Sequence, residues 1–564
     1  MSVFIDKLAD IQTDGRLDEP GSRTWIYAPY DQLTDQIGPL ADFPPDEVGL
    51  ILVENPWKAS RRPYHKQKLA LILTNMRHFA LEQARRGVAV RFEVADGPYH
   101  TTLGPLADEL GPIRMMQPAE RELRADLADL CESGAIELVE HQGWLTTREQ
   151  FLDACNEPPW RMDAFYRRVR QDTGLMMEDG SPEGGQYSHD GANREFWPGE
   201  PAAPELPTFD VDDVTREVGE LVESTFGAHP GELRLDRLPA SREHAEASWS
   251  WALEHCMACF GPYEDAMSTK SRTIFHTRIS QLLNISRLLP GRVVDDVAAL
   301  DIPINSKEGF VRQVIGWREF MRHVHEETDG FRELDGVETA DAPGDAGYER
   351  WSGDPWATHA DDSDLDGGAA PNELDADFDL PPAFWGAPSG LECLDHVVEG
   401  VLEEGYSHHI TRLMVLSNIA TLLDVRPRAL TDWFWVAYTD AYDWVVEPNV
   451  LGMGTFGVGD LFTTKPYVSG SNYIDKMSDY CDECAFDPSE NCPLKDMYWG
   501  FLERHRDALS DNRRMGLMYG NLSRRSDDKK QRDAAIFELV RSRLADGEAV
   551  TPADVENVAE EADA

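Results

Sequence analysis

Three cysteines fall within a short stretch of this chain, Cys481-x2-Cys484 and then Cys492 followed by Pro493. Thiolates gathered this closely bind zinc or an iron–sulfur cluster, and a proline directly after the last cysteine is a feature of cluster loops. Such a centre needs a fourth ligand, which must come from elsewhere and tie two distant parts of the fold together. The other cysteines are Cys131, Cys155, Cys256, Cys259 and Cys393. Cys131 and Cys155 read as core residues. Cys256-x2-Cys259 has the right pattern but lies in WALEHCMACFG, an apolar helical face where cysteine behaves as a small hydrophobe. Cys393 stands alone at the start of a long helical run. Spacing leaves the choice between Cys393 and the pair open.

That helical run also carries His408 and His409. Histidine titrates near neutrality, so the pair is a candidate for proton transfer; the plainer reading is two histidines hydrogen-bonded at a helix junction. Trp385, Trp433, Trp435, Trp444, Tyr438 and Tyr442 crowd the same region. Aromatic stripes are usually core; an electron-hopping chain is the sharper reading and requires a redox cofactor. In FHTRISQLLNISRLLP, His276, Ser280 and Asn284 recur at helical spacing, and GWREFMR sets Trp317, Arg318 and Glu319 on one short helix. Polar ridges of this kind suit a large ligand with phosphates and sugars, or else are solvated faces. NRRMGLMYGNLSRRSDDKKQR, with Arg513, Arg514, Arg524 and Arg525, is the most basic segment of a strongly acidic chain and reads as a contact to a phosphate backbone.

These residues need a scaffold. The 564 residues predict several domains and a large core, and 103 acidic against 53 basic residues give a formal charge of −50. The acids are spread over the whole length, which predicts a cytoplasmic protein adapted to molar salt, where a Debye length of about 3 Å screens the self-repulsion. No signal peptide and no membrane-spanning apolar run is apparent. After a leader (1–23), residues 24–155 alternate short apolar runs (TWIYAPYDQL, VGLILVEN, VAVRFEVADG, IRMMQP, AIELVEHQGWL) with amphipathic helices such as KLALILTNMRHFALEQARRG. This predicts an α/β domain with an open parallel sheet, and ligands beyond the strand carboxyl ends. There is no Gly-x-Gly-x-x-Gly and no Walker loop. Residues 156–240 read as a surface connector, 241–535 as an all-α domain interrupted by a solvated acidic insert (338–382), and 536–564 as an acidic tail.

Taken together, the motifs resemble the photolyase/cryptochrome superfamily, in particular its prokaryotic iron–sulfur (6-4) photolyase and bacterial cryptochrome branch. The resemblance rests on YEDAM (263–267), GWREFMR (316–322), YSHHITRLMVLSN (406–418), WVVEPNVLGMGTF (444–456), TKPYVSGSNYIDKMSDYCDEC (464–484) and CPLKDMYWGFL (492–502). YDQL (30–33) and KLALILTNMRHFA (68–80) extend it into the α/β part. It implies a Rossmann-like antenna domain followed by a helical FAD-binding domain. It implies a [4Fe–4S] site on Cys393, Cys481, Cys484 and Cys492, against Cys256 and Cys259. FAD would meet His276, Ser280, Asn284, Trp317, Arg318, Glu319 and Asn449, with Tyr467 nearby. Photoreduction would run through Trp433, Trp385 and Tyr442, with Phe434 standing where close relatives have a tyrosine. The implied reaction is light-driven repair of (6-4) pyrimidine–pyrimidone lesions in UV-damaged DNA, with His409, assisted by His408, as proton donor. A lumazine-type antenna, 6,7-dimethyl-8-ribityllumazine, would touch Asp31, although ENPWKASRRPYH departs from the family pattern at Lys58. A monomer is expected. The alternative within the family is a blue-light cryptochrome without repair; outside it, a light-independent nucleic-acid-binding protein with a structural cluster.

Overall fold

The computed structural model describes residues 2–17, 21, 23–334, 348–349, 365–366 and 368–562. Five parallel strands, β1 (Thr24–Tyr27), β2 (Val48–Glu54), β3 (Ala89–Val94), β4 (Ile113–Met116) and β5 (Ile136–Val139), form one sheet in the order β3-β2-β1-β4-β5. Every residue of β2 is buried, as a near-continuous apolar run in a parallel sheet covered on both faces requires. The run reverses direction across β1, so the crevice at the carboxyl ends of β1, β2 and β4 is the switch point where such sheets bind ligands.

Helix α1 (Val3–Ile11) falls within the expected leader, yet buries Phe4 and Leu8 against α2 (Lys66–Arg86). Helix α2 is capped by His65, whose ring accepts from the Gln67 N–H, and stops at Gly87 in the left-handed region (φ 99°). The expected surface connector contains α3 (Met162–Thr173) and α4 (Asp213–Thr225). Phe165, Tyr166, Val169, Val214, Val218 and Val222 bury their apolar faces, so this stretch is part of the core and not only a strap.

The remainder is helical: α5 (Glu392–Glu404), α6 (Pro427–Ala437), α7 (Pro493–Arg504) and α8 (Asp527–Ala545) frame the part of interest. Three segments there, Arg312–Arg318, Thr411–Ser417 and Glu447–Gly454, are π-helical. That geometry is rare and concentrates at functional sites; each of the three lies in or against a motif that stood out in the sequence. The expected acidic insert lies largely outside the described residues. Its end differs from expectation: Ala369, Leu374 and Ala376 are buried, and Phe378 bridges to Val425. The expected acidic tail is also packed, because α8 crosses residue 536 and buries Ile536, Phe537, Val540 and Leu544 against α7. The Val550 N–H then donates to the Ser389 carbonyl, just ahead of α5.

Candidate active site

Cys393 lies in the first turn of α5, and Cys492 caps α7, whose first residue is Pro493. Cys481 and Cys484 sit in the turn after the Ser471–Met477 helix. The four line one apolar cavity with Leu391, Ile474, Tyr480, Phe486 and Leu494, enclosing about 330 Å³ of empty volume. All four are free thiols. Burial pushes the Cys393 thiol far above its ordinary range, and Cys492, Cys484 and Cys481 add to the push, so the four sulfurs sense one another. A single tetrahedral zinc with Zn–S bonds of about 2.3 Å would hold its sulfurs roughly 3.8 Å apart. Among the described residues, the trio of potential ligand atoms within 4.8 Å of one another is a set of histidines, not these cysteines. The four cysteines converge on one cavity although Cys393 lies far from the others in sequence. Cys256 lies elsewhere, its Sγ 3.8 Å from the His276 carbonyl oxygen.

The histidine trio is His276, His408 and His409. The rings of His276 and His408 stack at 4.3 Å with 9° between their planes, and His409 meets His276 edge-on at 5.5 Å. Parallel planes turn the in-plane lone pairs of the first two rings alongside each other. The cluster as placed therefore suits proton handling better than metal ligation. His276 and His408 are buried, and His276 Nε2 and His408 Nδ1 have no hydrogen-bond partner. Burial holds both rings well below the ordinary histidine value; His408 and His409 add to it at His276, and His409 and Arg412 at His408. Both are neutral at pH 7. His409 is different: its side chain is 40% exposed, with Nε2 3.8 Å from Asp265 Oδ1. The backbone beside His276 is strained, with Ile274 (φ 49°) and Arg278 (φ 53°) in the left-handed region. Such strain is characteristic of functional sites.

The ridge residues converge on a partner the sequence did not reveal. Ser280 Oγ donates to Asp440 Oδ2 (2.6 Å), Asn284 Nδ2 to the Asp440 carbonyl (2.8 Å), and Arg412 grips the Asp440 carboxylate with two bonds of 3.0 and 2.9 Å. Burial would raise the Asp440 carboxyl, but the Arg412 guanidinium and Ser280 more than offset it and leave it below the usual range. Beside this network lies a cavity of about 880 Å³ empty volume, walled by Thr277, Arg278, Gln281 and Thr439 and, across it, Arg234, Arg237 and Trp251. Gln281 Oε1 has no partner. Glu403 and Glu404 also line the cavity, the latter paired with Arg278, which leaves Arg234, Arg237 and the Gln281 amide among its other polar walls.

Trp433 is fully buried, 6.4 Å from Trp385 and 5.9 Å from Tyr438, ring centre to ring centre. Tyr438 lies under the Arg412 guanidinium (4.1 Å) and shares a hydrogen bond with Ser407 (2.9 Å). Tyr442, expected in the same chain, points toward the other domain and stacks on Tyr30 at 6.4 Å. With Tyr30, Tyr64, Tyr99, Lys58 and Lys68 it walls a second cavity of about 540 Å³ empty volume at the carboxyl ends of β1 and β2. Asp31 does not line that cavity. It is buried in a small void with Arg318, Trp144 and Trp444, where burial raises its carboxyl to about 7 against the opposing pull of Lys58.

The remaining expected contacts serve other partners. Arg318 lies over Trp144 (4.3 Å) and Trp444 (5.2 Å), and burial lowers its pKa to about 10. Glu319 accepts from the Leu145 and Thr146 backbone N–H groups and the Thr146 hydroxyl, and Trp317 packs edge-on against Phe320. In the structure, Arg318 and Glu319 thus join the helical domain to the end of the α/β domain. Asn449 donates to the Val445 carbonyl. Tyr467 is largely buried, its hydroxyl within electrostatic reach of Asp190, Arg514 and Arg194. Arg525 is held by Asp533 and Asp496, while Arg513, Arg514 and Arg524 are exposed and make no ion pair among the described residues.

A parallel α/β domain with a crevice at its strand ends, followed by a larger helical domain with a histidine rim, defines a two-domain architecture. A family described as "Deoxyribodipyrimidine photo-lyase-related protein" matches residues 25–237. The chain is 31% identical over 525 residues to a (6-4) photolyase of Agrobacterium fabrum, covering 88% of this chain and 95% of that protein. An uncharacterized protein, R855, of Acanthamoeba polyphaga mimivirus is 30% identical over 131 residues, 23% of this chain and 100% of that one. The fold is similar to the crystal structure of a bacterial class III photolyase from Agrobacterium tumefaciens (TM-score 0.51, 13% identity, 89% of this chain and 98% of that one). The chain belongs to the photolyase/cryptochrome superfamily.

Proposed function

We propose that the protein reverses (6-4) pyrimidine–pyrimidone lesions in DNA under light, with FAD in the helical domain and a [4Fe–4S] cluster on Cys393, Cys481, Cys484 and Cys492. The observation that carries this reading is the grouping of His276, His408 and His409 near the Arg412–Asp440 network, in a chain related along most of its length to a (6-4) photolyase. FAD, when bound, supplies a light-excitable electron donor. Thr277, Arg278, Gln281, Arg234 and Arg237 would hold its polar chain, with the Arg412–Asp440 pair and Trp433 beside it. A damaged base costs less to unstack than a sound one, and the exposed His409 is the ring that a flipped base can reach. Asp265 Oδ1 lies 3.8 Å from His409 Nε2 and orients the ring, so this nitrogen would face the proton to be delivered. His408 and His276, neutral and buried, would shape the wall behind it. Trp385, Trp433 and Tyr438 form a hopping route from the cofactor side toward the surface. The cysteine cavity fixes the start of α5, and through it the histidine rim, against α7. The cavity walled by Tyr30, Lys58 and Tyr442 suits a lumazine-type antenna. No helix among the described residues is long and apolar enough to cross a membrane. Chromophore extraction and an absorption spectrum test the cofactors, and repair of a (6-4) oligonucleotide under blue light tests the reaction. A flavin-bearing protein that binds the lesion and leaves it intact would be the cryptochrome of the same family.

A further inference from the structure

We propose that Leu517 is a wedge that fills the gap left in a DNA duplex when a lesion is turned out toward His409. The inference rests on the DNA-repair reading above. Leu517 is 76% exposed, more than any of the other exposed large apolar side chains of the described residues, among them Val94 (64%), Ile5 (46%) and Phe196 (44%). It lies on the short Gly516–Leu522 helix, whose Tyr519 and Leu522 are buried, so the helix is seated while Leu517 faces out. Arg513 and Arg514, just before that helix, and Arg524, just after it, are exposed and make no ion pair among the described residues. In a chain with a formal charge of −50, three uncommitted guanidiniums close in sequence to one apolar side chain are complementary to a nucleic-acid backbone with an opening in its stack.

The position agrees with this occupant. Asn512 Nδ2 donates to the Thr464 carbonyl (2.9 Å), tying the segment to the loop that carries Tyr467. Tyr467 lies within electrostatic reach of Arg514, Arg194 and Asp190. Arg194 pairs with Asp190 and, at 3.6 Å, with Asp265, the partner of His409. A chain of neighbouring charged groups, Arg514, Arg194 and Asp265, thus links this segment to His409 by way of Tyr467. Apolar side chains inserted at base steps keep a duplex open while cationic groups hold the flanking phosphates. Leu517 would take the vacated place in the stack, and Arg513, Arg514 and Arg524 the phosphates beside it.

The test uses the full-length holoprotein and a duplex carrying a (6-4) lesion, with 2-aminopurine in the strand opposite. Wild type should raise the 2-aminopurine fluorescence on binding and prefer the lesion duplex over the undamaged one. Leu517→Ala should reduce that preference about tenfold, from loss of one buried leucine, and suppress the fluorescence rise, with undamaged-duplex binding and its salt dependence unchanged. The double variant Arg513→Gln/Arg514→Gln should do the opposite, lowering the salt slope by about 2 while the rise persists at saturating protein. Val94→Ala, far from the rim on β3, serves as the control. An L517A protein with wild-type preference and fluorescence would overturn the wedge while leaving the DNA reading standing. So would an L517A protein altered only in self-association by sedimentation. Wild type that binds neither duplex would instead overturn the DNA reading itself, and the wedge with it.

Discussion

Helix α5 and the turn after it join two clusters of reactive side chains, roughly 20 Å apart at 1.5 Å per helical residue. At its start, Cys393 meets Cys481, Cys484 and Cys492 in a mainly apolar cavity. Beyond its end, His408 and His409 meet His276 at a rim that opens to solvent through His409. Cys393 and Cys492 are buried and Cys481 and Cys484 half-buried in a mainly apolar lining, so whatever they bind is largely shielded from substrate. The histidines are graded, two buried and neutral, one exposed and facing a carboxylate. Shielded sites fix geometry and graded sites move charge. The same helix allows the first to position the second.

The largest effect expected from breaking this pairing is at the cysteine end. Cys393→Ala should abolish iron incorporation, measured by metal analysis, and lower the melting temperature, whereas Cys256→Ala should keep wild-type iron content. Equal losses from both would show that the sulfur set has been misassigned. At the other end, His409→Ala should lower light-driven repair by about 10²–10⁴-fold, the usual weight of a positioned acid–base group, with iron content and flavin photoreduction unchanged. A parallel loss of iron would mean that the two clusters are not separable.

Between them, Trp433→Phe should slow flavin photoreduction while lesion binding persists. Tyr442→Phe should leave the rate close to wild type, because Tyr442 stacks on Tyr30 and not on Trp433. Photoreduction as slow in Tyr442→Phe as in Trp433→Phe would restore Tyr442 to the route. The smallest effect concerns Asp31. Its carboxyl titrates near 7 in the fold and near 3.9 when unfolded. The folded state therefore retains a proton that the unfolded state has lost, and stability falls as pH rises from about 4 to 7. Asp31→Asn removes this cost. Its stability gain over wild type should be absent below pH 4, open across that window and level off above pH 7 at on the order of 4 kcal/mol. A gap independent of pH, in chemical denaturation followed at several pH values, would contradict the assignment.

Much of this arrangement was legible in the residues. The five strands follow from continuous apolar runs, since parallel strands are buried on both faces, and α2 from its 3.6-residue period. The cysteine and histidine motifs were visible because thiols and imidazoles are scarce and local. What was not legible is pairing across space. Arg412 and Asp440 are 28 residues apart, and nothing in their spacing announces a shared bond; the available signal was charge in otherwise apolar stretches, where it is seldom tolerated unpaired. The aromatics of 433–444 share a composition, so only the fold separates Tyr438, under Arg412, from Tyr442, on the far side. The expected acidic tail misleads for a related reason: its charges face solvent while Ile536, Phe537, Val540 and Leu544 form a buried stripe on α8.

The account turns on light-driven repair at the histidine rim. The direct measurement is to illuminate the purified, flavin-reduced protein with a (6-4) oligonucleotide and a cyclobutane-dimer oligonucleotide in parallel, and to quantify intact thymidines by chromatography. The account predicts blue-light-dependent loss of the (6-4) lesion, absent in the dark and in His409→Ala, with the cyclobutane dimer unchanged. Persistence of the (6-4) lesion, with flavin reduced and DNA bound, would contradict it.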